Sequence, residues 1–213
     1  MIDTYVFDFD GTVADSMPTW SKAMMNVIIK SGVVYPDNII EILTPLGDGK
    51  SAIYLREKLG VKFSEGEIKD LIAEYATPLY LNEVQPKDGV IDYLKKLKSA
   101  GKKVGLLTAS THKRIDGCIK RWGAWDLFDA VKTCEDYLKP KSDPTIYKDL
   151  LRDMGSTAEK TAFFDDNLEV VRTVKLAGLT AVGVFDESGK KHVAELQGAA
   201  DVYIESFENL GLL

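Results

Sequence analysis

Short apolar runs recur along the chain, at Tyr5-Val6-Phe7, Val104–Leu107, Ala130-Val131, Ala162–Phe164, Ala181–Phe185 and Val202–Ile204. Between them lie segments whose apolar residues repeat at helical spacing. Residues 89–100 put Val90, Ile91, Leu94 and Leu97 on one face, and Gly101 stands where a helix stop belongs. Asp143-Pro144 reads as an N-cap followed by proline at the first helical position. The helix it opens turns Ile146, Leu150 and Leu151 inward. Strand-length runs alternating with helices predict a parallel sheet assembled from βα units.

Residues 16–85 break this alternation. They carry helical patterns at roughly 19–30, 50–59 and 65–81, without convincing strands. Such a block is too long for a βα connection. It reads as a helical insertion, with Gln85-Pro86-Lys87-Asp88-Gly89 as the returning linker. The predicted fold class is α/β: a doubly wound, Rossmann-like parallel-sheet core from residues 1–15 and 86–213, with an inserted all-helical domain of residues 16–85.

The first predicted strand runs straight into Asp8-Phe9-Asp10-Gly11-Thr12-Val13-Ala14-Asp15-Ser16. In open parallel sheets, sites form at the carboxyl ends of strands. Two carboxylates one residue apart can point the same way from an extended chain, and Gly11 permits the turn that follows. One carboxylate can attack phosphorus while the other moves protons, dividing a difficult hydrolysis into two steps. Taken alone, a D-x-D pair is more often an acidic turn after a strand, with Asp15 capping a helix.

Composition and charge limit the partners. A chain of 213 residues with 45% hydrophobic and 28% charged residues can bury a sizeable core. The net charge of -6 argues against broad nucleic-acid binding. It leaves room for a small anionic substrate held by a few local cations and a metal. Cys118 and Cys134 form neither a disulfide framework nor a four-cysteine zinc site, which fits a reducing compartment. No apolar stretch approaches a membrane span and no leader pattern precedes the first strand, so the expected location is cytoplasmic.

The nine-residue string resembles the opening of the haloacid dehalogenase superfamily phosphatases, D-x-D-G-T-x-x-D-S, at every fixed position. Three weaker signals follow at strand ends: Leu106-Leu107-Thr108-Ala109-Ser110, Lys139-Pro140-Lys141-Ser142-Asp143-Pro144 and Phe163-Phe164-Asp165-Asp166-Asn167. The resemblance spans the whole chain. The insertion looks like the helical cap of the phosphoglycolate phosphatase and β-phosphoglucomutase group.

The resemblance implies Asp8 as nucleophile and magnesium ligand. It implies Asp10 as general acid and then base, with its backbone carbonyl also touching Mg2+. Thr108, with the backbone at Ala109 and Gly11, would hold the phosphoryl group. Lys139 would bridge nucleophile and phosphate. Lys141, two residues on in the same loop, competes for that place. The family commonly has K-P-x-P-D, and here Ser142 replaces the second proline; that register prefers Lys139. Counting back from Ala177-Gly178 makes Asp166 the principal metal ligand and Asp165 a second ligand or outer partner, with Val170 where a later acid usually stands; sliding by one makes Asp165 the ligand and Glu169 the later acid but breaks the Ala-Gly match.

The implied cofactor is Mg2+ and the implied partner a small phosphate monoester, such as phosphoglycolate or a sugar phosphate, turned over by a monomer or weak homodimer. Lys50, in the polar segment Gly47–Ser51, is a candidate for a carboxylate or second phosphate on the substrate. Two rival readings stand beside hydrolysis. Similar sugar phosphomutases carry a histidine after the first motif, where this chain has Trp20. A non-enzymatic binding protein would show erosion at Asp8, Asp10, Thr108, Lys139 or Asp166, and each of those residues is present.

Overall fold

The computed structural model describes residues 1–213, apart from the side chain of Pro45. The chain forms two compact units: Met1–Asp15 with Gln85–Leu213, and Ser16–Val84.

The first unit is built on strands β1 (Thr4–Phe7), β4 (Lys103–Thr108), β5 (Ala130–Thr133), β6 (Thr161–Asp165), β7 (Thr180–Val184) and β8 (Val202–Ile204). They form one sheet in the order β5-β4-β1-β6-β7-β8, every pairing parallel. Parallel strands need crossovers. Helices α5 (Val90–Ser99), α6 (His112–Arg121), α7 (Cys134–Tyr137), α8 (Thr145–Met154), α9 (Leu168–Leu176) and α10 (Val193–Ala199) lie between the strands in sequence. The central strand β1 is buried along its whole length, so its residues serve both faces of the sheet in alternation. Tyr5 and Phe7 pack with Tyr93, Phe164 and Phe207, the Phe7 and Phe164 rings stacking 4.5 Å apart. Val6 joins Leu107, Ile146, Tyr147, Leu150 and Phe163 in a second apolar cluster. Fully burying each such side chain contributes roughly 2 kcal/mol.

The six expected apolar runs all fall on sheet strands. α5 starts and stops within a residue of the expected bounds, and α8 starts within a residue of the expected position. Asp143 still serves the start of α8, its Oδ1 accepting from the Thr145 amide at 2.9 Å and the Thr145 hydroxyl at 2.8 Å. One pairing escaped the sequence reading. β2 (Ala14–Asp15) and β3 (Gln85–Pro86) form a two-residue antiparallel ladder, so the supposed linker is hydrogen-bonded structure. Asp15 therefore lies in a strand and does not cap a helix.

The second unit is helical: α1 (Met17–Ser31), α2 (Ile39–Leu43), α3 (Gly47–Glu57) and α4 (Glu65–Asn82). Trp20, Met24, Val27 and Ile28 of α1 share a core with Leu55, Ile68 and Ile72. Ser64 and Glu67 close a reciprocal capping box at the start of α4. The short α2 has no counterpart in the sequence reading, because five residues are too few to display a period. Trp20 is a buried core aromatic whose Nε1 donates to Asp48 Oδ1 at 2.8 Å. Lys50 lies exposed on α3. Among the described residues, no helix is long and apolar enough to cross a membrane.

Candidate active site

Strand register gathers the acidic residues. Phe7 pairs with Phe164 across β1 and β6, and the Asp8 amide continues the ladder by donating to the Phe164 carbonyl at 2.9 Å. Asp8 therefore leaves β1 beside Asp165, the last residue of β6. Oxygen atoms of Asp8, Asp165 and Asp166 lie within 4.8 Å of one another.

Gly11 makes room for the third acid. Its φ of 72° suits glycine, and a Cβ there would stand 2.5 Å from Asp166 Oδ2. Thr12, fully buried, donates its hydroxyl to Asp166 Oδ1 at 3.3 Å. The turn after β1 thus seats Asp166 as well as carrying Asp10, a role for Gly11 and Thr12 that sequence reasoning missed.

The lysine in this cluster is Lys141. Its Nζ lies 2.8 Å from Asp8 Oδ1 and 2.7 Å from Asp165 Oδ2, and its side chain is 8% exposed. Lys139 points elsewhere, with its Nζ 2.5 Å from Asp149 Oδ2 on α8. The preference for Lys139 is corrected by this geometry. The Asp143 amide donates to the Pro140 carbonyl at 3.0 Å, folding residues 140–143 into a turn that parts the two lysines. Tyr147 fixes the inward one by donating its hydroxyl to the Lys141 carbonyl at 2.8 Å.

Asp165 orients Lys141. One of its oxygens takes the ammonium and the other accepts the Asn167 amide at 2.9 Å. Asn167 caps α9 by accepting from the Glu169 and Val170 amides, so neither aspartate is spent as the helix cap. Val170, at the position of the missing later acid, packs against the core.

Burial is the largest influence on these carboxyls. It pushes Asp8 up to about 7 against the opposing pull of Lys141, while Asp165 and Asp10 push the same way as burial. Asp165 and Asp166 are raised as well, again chiefly by burial, with neighbouring carboxylates adding to the effect at Asp166. Asp8 Oδ1 is buried 2.8 Å from the Lys141 ammonium. Three carboxylates and one ammonium leave two negative charges, which a divalent cation would balance. Three carboxylates whose oxygens gather within 4.8 Å are the hard donors that fit such an ion.

Thr108 ends β4, 1% exposed, and its Oγ1 accepts from the Ser110 amide at 3.1 Å, so its own proton is free to donate elsewhere. Ala109 is exposed at the tip of this loop. Ser110 Oγ donates to Asp10 Oδ2 at 2.5 Å, which brings the second aspartate of the first motif against the β4 loop. A surface cleft of about 660 Å³, lined by Arg172, Lys175, Leu176 and Glu195, lies at the far end of α9 from the carboxylates.

A family model for haloacid dehalogenase-like hydrolases matches residues 5–184. The chain belongs to the haloacid dehalogenase-like hydrolases. Several of its curated relatives are named phosphatases. It is 23% identical over 212 residues to a phosphorylated carbohydrates phosphatase of Thermotoga maritima, covering 100% of this chain and 98% of that protein. It is 23% identical over 186 residues to a phosphoglycolate phosphatase of Pseudomonas putida, covering 84% of this chain and 68% of that protein. The crystal structure of a CbbY mutant from Rhodobacter sphaeroides, in complex with xylulose-(1,5)bisphosphate, has a TM-score of 0.86 at 23% identity. It covers 99% of this chain and 97% of that one, a likeness of fold.

Beside the active-site loop of this hydrolase, His112 opens α6 between two acids. Its Nδ1 lies 2.9 Å from Asp116 Oδ1 and its Nε2 lies 3.0 Å from Asp136 Oδ2. Burial opposes its charge, but the hydrogen bonds to Asp116 and Asp136 outweigh burial and raise its pKa above 6.5. A raised folded-state value stabilises fully below the unfolded value and loses that contribution as pH rises through the folded one. The thermal midpoint of His112→Gln should therefore trail wild type most near about pH 6, with the gap closing at alkaline pH. A gap independent of pH would contradict the ion-pair reading.

Proposed function

We propose that this chain hydrolyses small phosphate monoesters with Mg2+ through an aspartyl-phosphate on Asp8. The observation that carries the reading is the convergence of Lys141 and Asp166 on the buried carboxylate of Asp8.

In the first half-reaction an oxygen of Asp8 bonds to phosphorus and the P–O bond to the leaving group breaks. Asp10 gives its proton to the departing oxygen. In the second, water attacks the phosphorus of the aspartyl-phosphate while Asp10 takes the proton, releasing inorganic phosphate and restoring Asp8. The Thr108 hydroxyl, with the Ala109 and Gly11 backbone, holds the phosphoryl oxygens, and Lys141 neutralises charge on Asp8 and the bound phosphate. Asp8 and Asp166, with the Asp10 carbonyl, are the groups that would hold Mg2+, which when bound supplies positive charge beside the phosphoryl oxygens. Asp165 keeps Lys141 aimed.

A panel of monoesters, including phosphoglycolate and hexose phosphates, tests the reading. Phosphate release that requires Mg2+ is the expected result. Isomerisation of a hexose phosphate primed by its bisphosphate would replace hydrolysis with the mutase reaction. A folded protein that turns over none of the panel would favour the binding-protein reading.

A further inference from the structure

Lys87 and Asp186 form an ion pair that the reaction above leaves unused. The Lys87 ammonium lies 2.8 Å from Asp186 Oδ2 and donates to the Phe185 carbonyl at 2.7 Å, with the two side chains 17% and 6% exposed. Asp186 is held on its other oxygen as well, where Oδ1 accepts from the Ser188 amide at 2.9 Å. The Lys87 amide donates to the Val13 carbonyl at 2.9 Å. Val13 belongs to the turn whose Gly11 and Thr12 seat Asp166. One lysine therefore ties three segments: the turn after β1, the chain leaving β3 and the chain leaving β7.

The pair also lies within electrostatic reach of the acidic cluster. β7 runs beside β6 with Gly183 opposite Asp165, so Val184 is level with Asp166. The chain stays extended beyond β7: the Phe185 amide donates to the Ile204 carbonyl at 2.9 Å, and Asp186 has φ -136° and ψ 140°. Two residues along and one strand across place Asp186 roughly 8 Å from Asp166, backbone to backbone. Its charge accordingly adds to the upward push on the Asp166 carboxyl, after burial, Asp165 and Asp8. A carboxylate at that range attracts a divalent cation, and an ammonium 2.8 Å from it cancels most of that pull.

We propose that the Lys87–Asp186 pair sets the Mg2+ affinity of the Asp8–Asp166 site from outside its ligands: Asp186 supplies attraction through space, and Lys87 holds that attraction in check. Neither residue is a catalytic group, since both act on the ion by the charge they place beside Asp166. The two members therefore have opposite effects on metal binding, which a merely structural strap does not produce. The inference rests on the assignment of Asp8 and Asp166 as Mg2+ ligands above.

Mg2+ binding is read in two ways on the full chain. Calorimetric titration with Mg2+ alone gives Kd for the substrate-free protein, and turnover of a monoester gives the Mg2+ concentration for half-maximal rate. Asp186→Asn, which keeps the shape and removes the charge, should raise both about three- to tenfold. Saturating Mg2+ should then restore its kcat, whereas a damaged fold would lower kcat at every Mg2+ concentration. Lys87→Met, which leaves Asp186 unopposed, should lower both by a similar factor. The double variant Lys87→Met/Asp186→Asn strands no charge and should return to within about twofold of wild type. It keeps the test decisive even where Lys87→Met alone folds badly. Weaker Mg2+ binding in all three variants, or no shift in any, would make the pair a strap alone and overturn the proposal. Calorimetry that finds no Mg2+ binding to wild type would overturn the magnesium reading itself, and this inference with it.

Discussion

Asp8→Asn should lower kcat on any monoester by about 10⁴- to 10⁶-fold, the scale seen when an attacking side chain is removed. The amide is nearly isosteric with the carboxylate but cannot form the acyl phosphate. The variant should also fail to trap beryllium fluoride, a mimic of the phosphorylated aspartate. Its stability should move the other way. In the folded protein without metal, burial lifts Asp8 from 3.8 to about 7. An acid whose folded value is raised destabilises the fold increasingly as pH climbs from the unfolded value through the folded one. With chelator present, wild type should therefore lose thermal stability between about pH 4 and pH 8 more steeply than Asp8→Asn does. Retained turnover, or equal pH slopes, would remove Asp8 from the centre of the mechanism.

Lys141→Met should be the second large effect, and Lys139→Met its control. The Lys141 ammonium lies 2.8 Å from Asp8 and 2.7 Å from Asp165. Removing it strands buried carboxylates, at a cost of roughly 3–5 kcal/mol in metal-free protein. Chemical denaturation measures that loss, and Mg2+ should recover part of it. Turnover should fall about 10²- to 10³-fold, as when one donor to the transition state is lost. Lys139 pairs with Asp149 on α8, partly in solvent. Its removal should cost no more than about 1 kcal/mol and leave kcat unchanged. The reverse pattern would return the bridging role to Lys139.

The lysine exchange marks where the sequence was legible and where it was not. Asp8 and Asp10 follow a strand that pattern alone identifies, and parallel register then brings Asp165 and Asp166 beside them. Lys139 and Lys141 share one loop, and residue order does not say which one a turn directs inward. A signal was present nonetheless. Asp143-Pro144 fixes the start of α8, and K-P-x-P-D laid two residues later fits Lys141 and Pro144, with Ser142 and Thr145 as departures. Counting back from the helix was safer than counting forward from the first proline, because a helix start is tied to backbone geometry. The β2–β3 ladder was illegible for another reason. Two residues per strand carry no periodicity, and Gln85-Pro86 has the composition of a linker. Ser110, Thr12 and the space beside Gly11 were hidden because each acts through contacts between segments more than ninety residues apart in sequence.

That small ladder has a consequence for how such a chain can diversify. Ala14–Asp15 and Gln85–Pro86 run side by side, so residues 16–84 leave and re-enter the sheet-bearing unit at a single doorway. Whatever length or sequence hangs from this doorway, the closure that joins its posts is already made in the parent structure. The helical segment can lengthen, shrink or change its surface without disturbing the strand register that sets Asp8 against Lys141. The acidic cluster and the helical segment are thereby written on separable stretches of one polypeptide, and each is free to drift at its own pace.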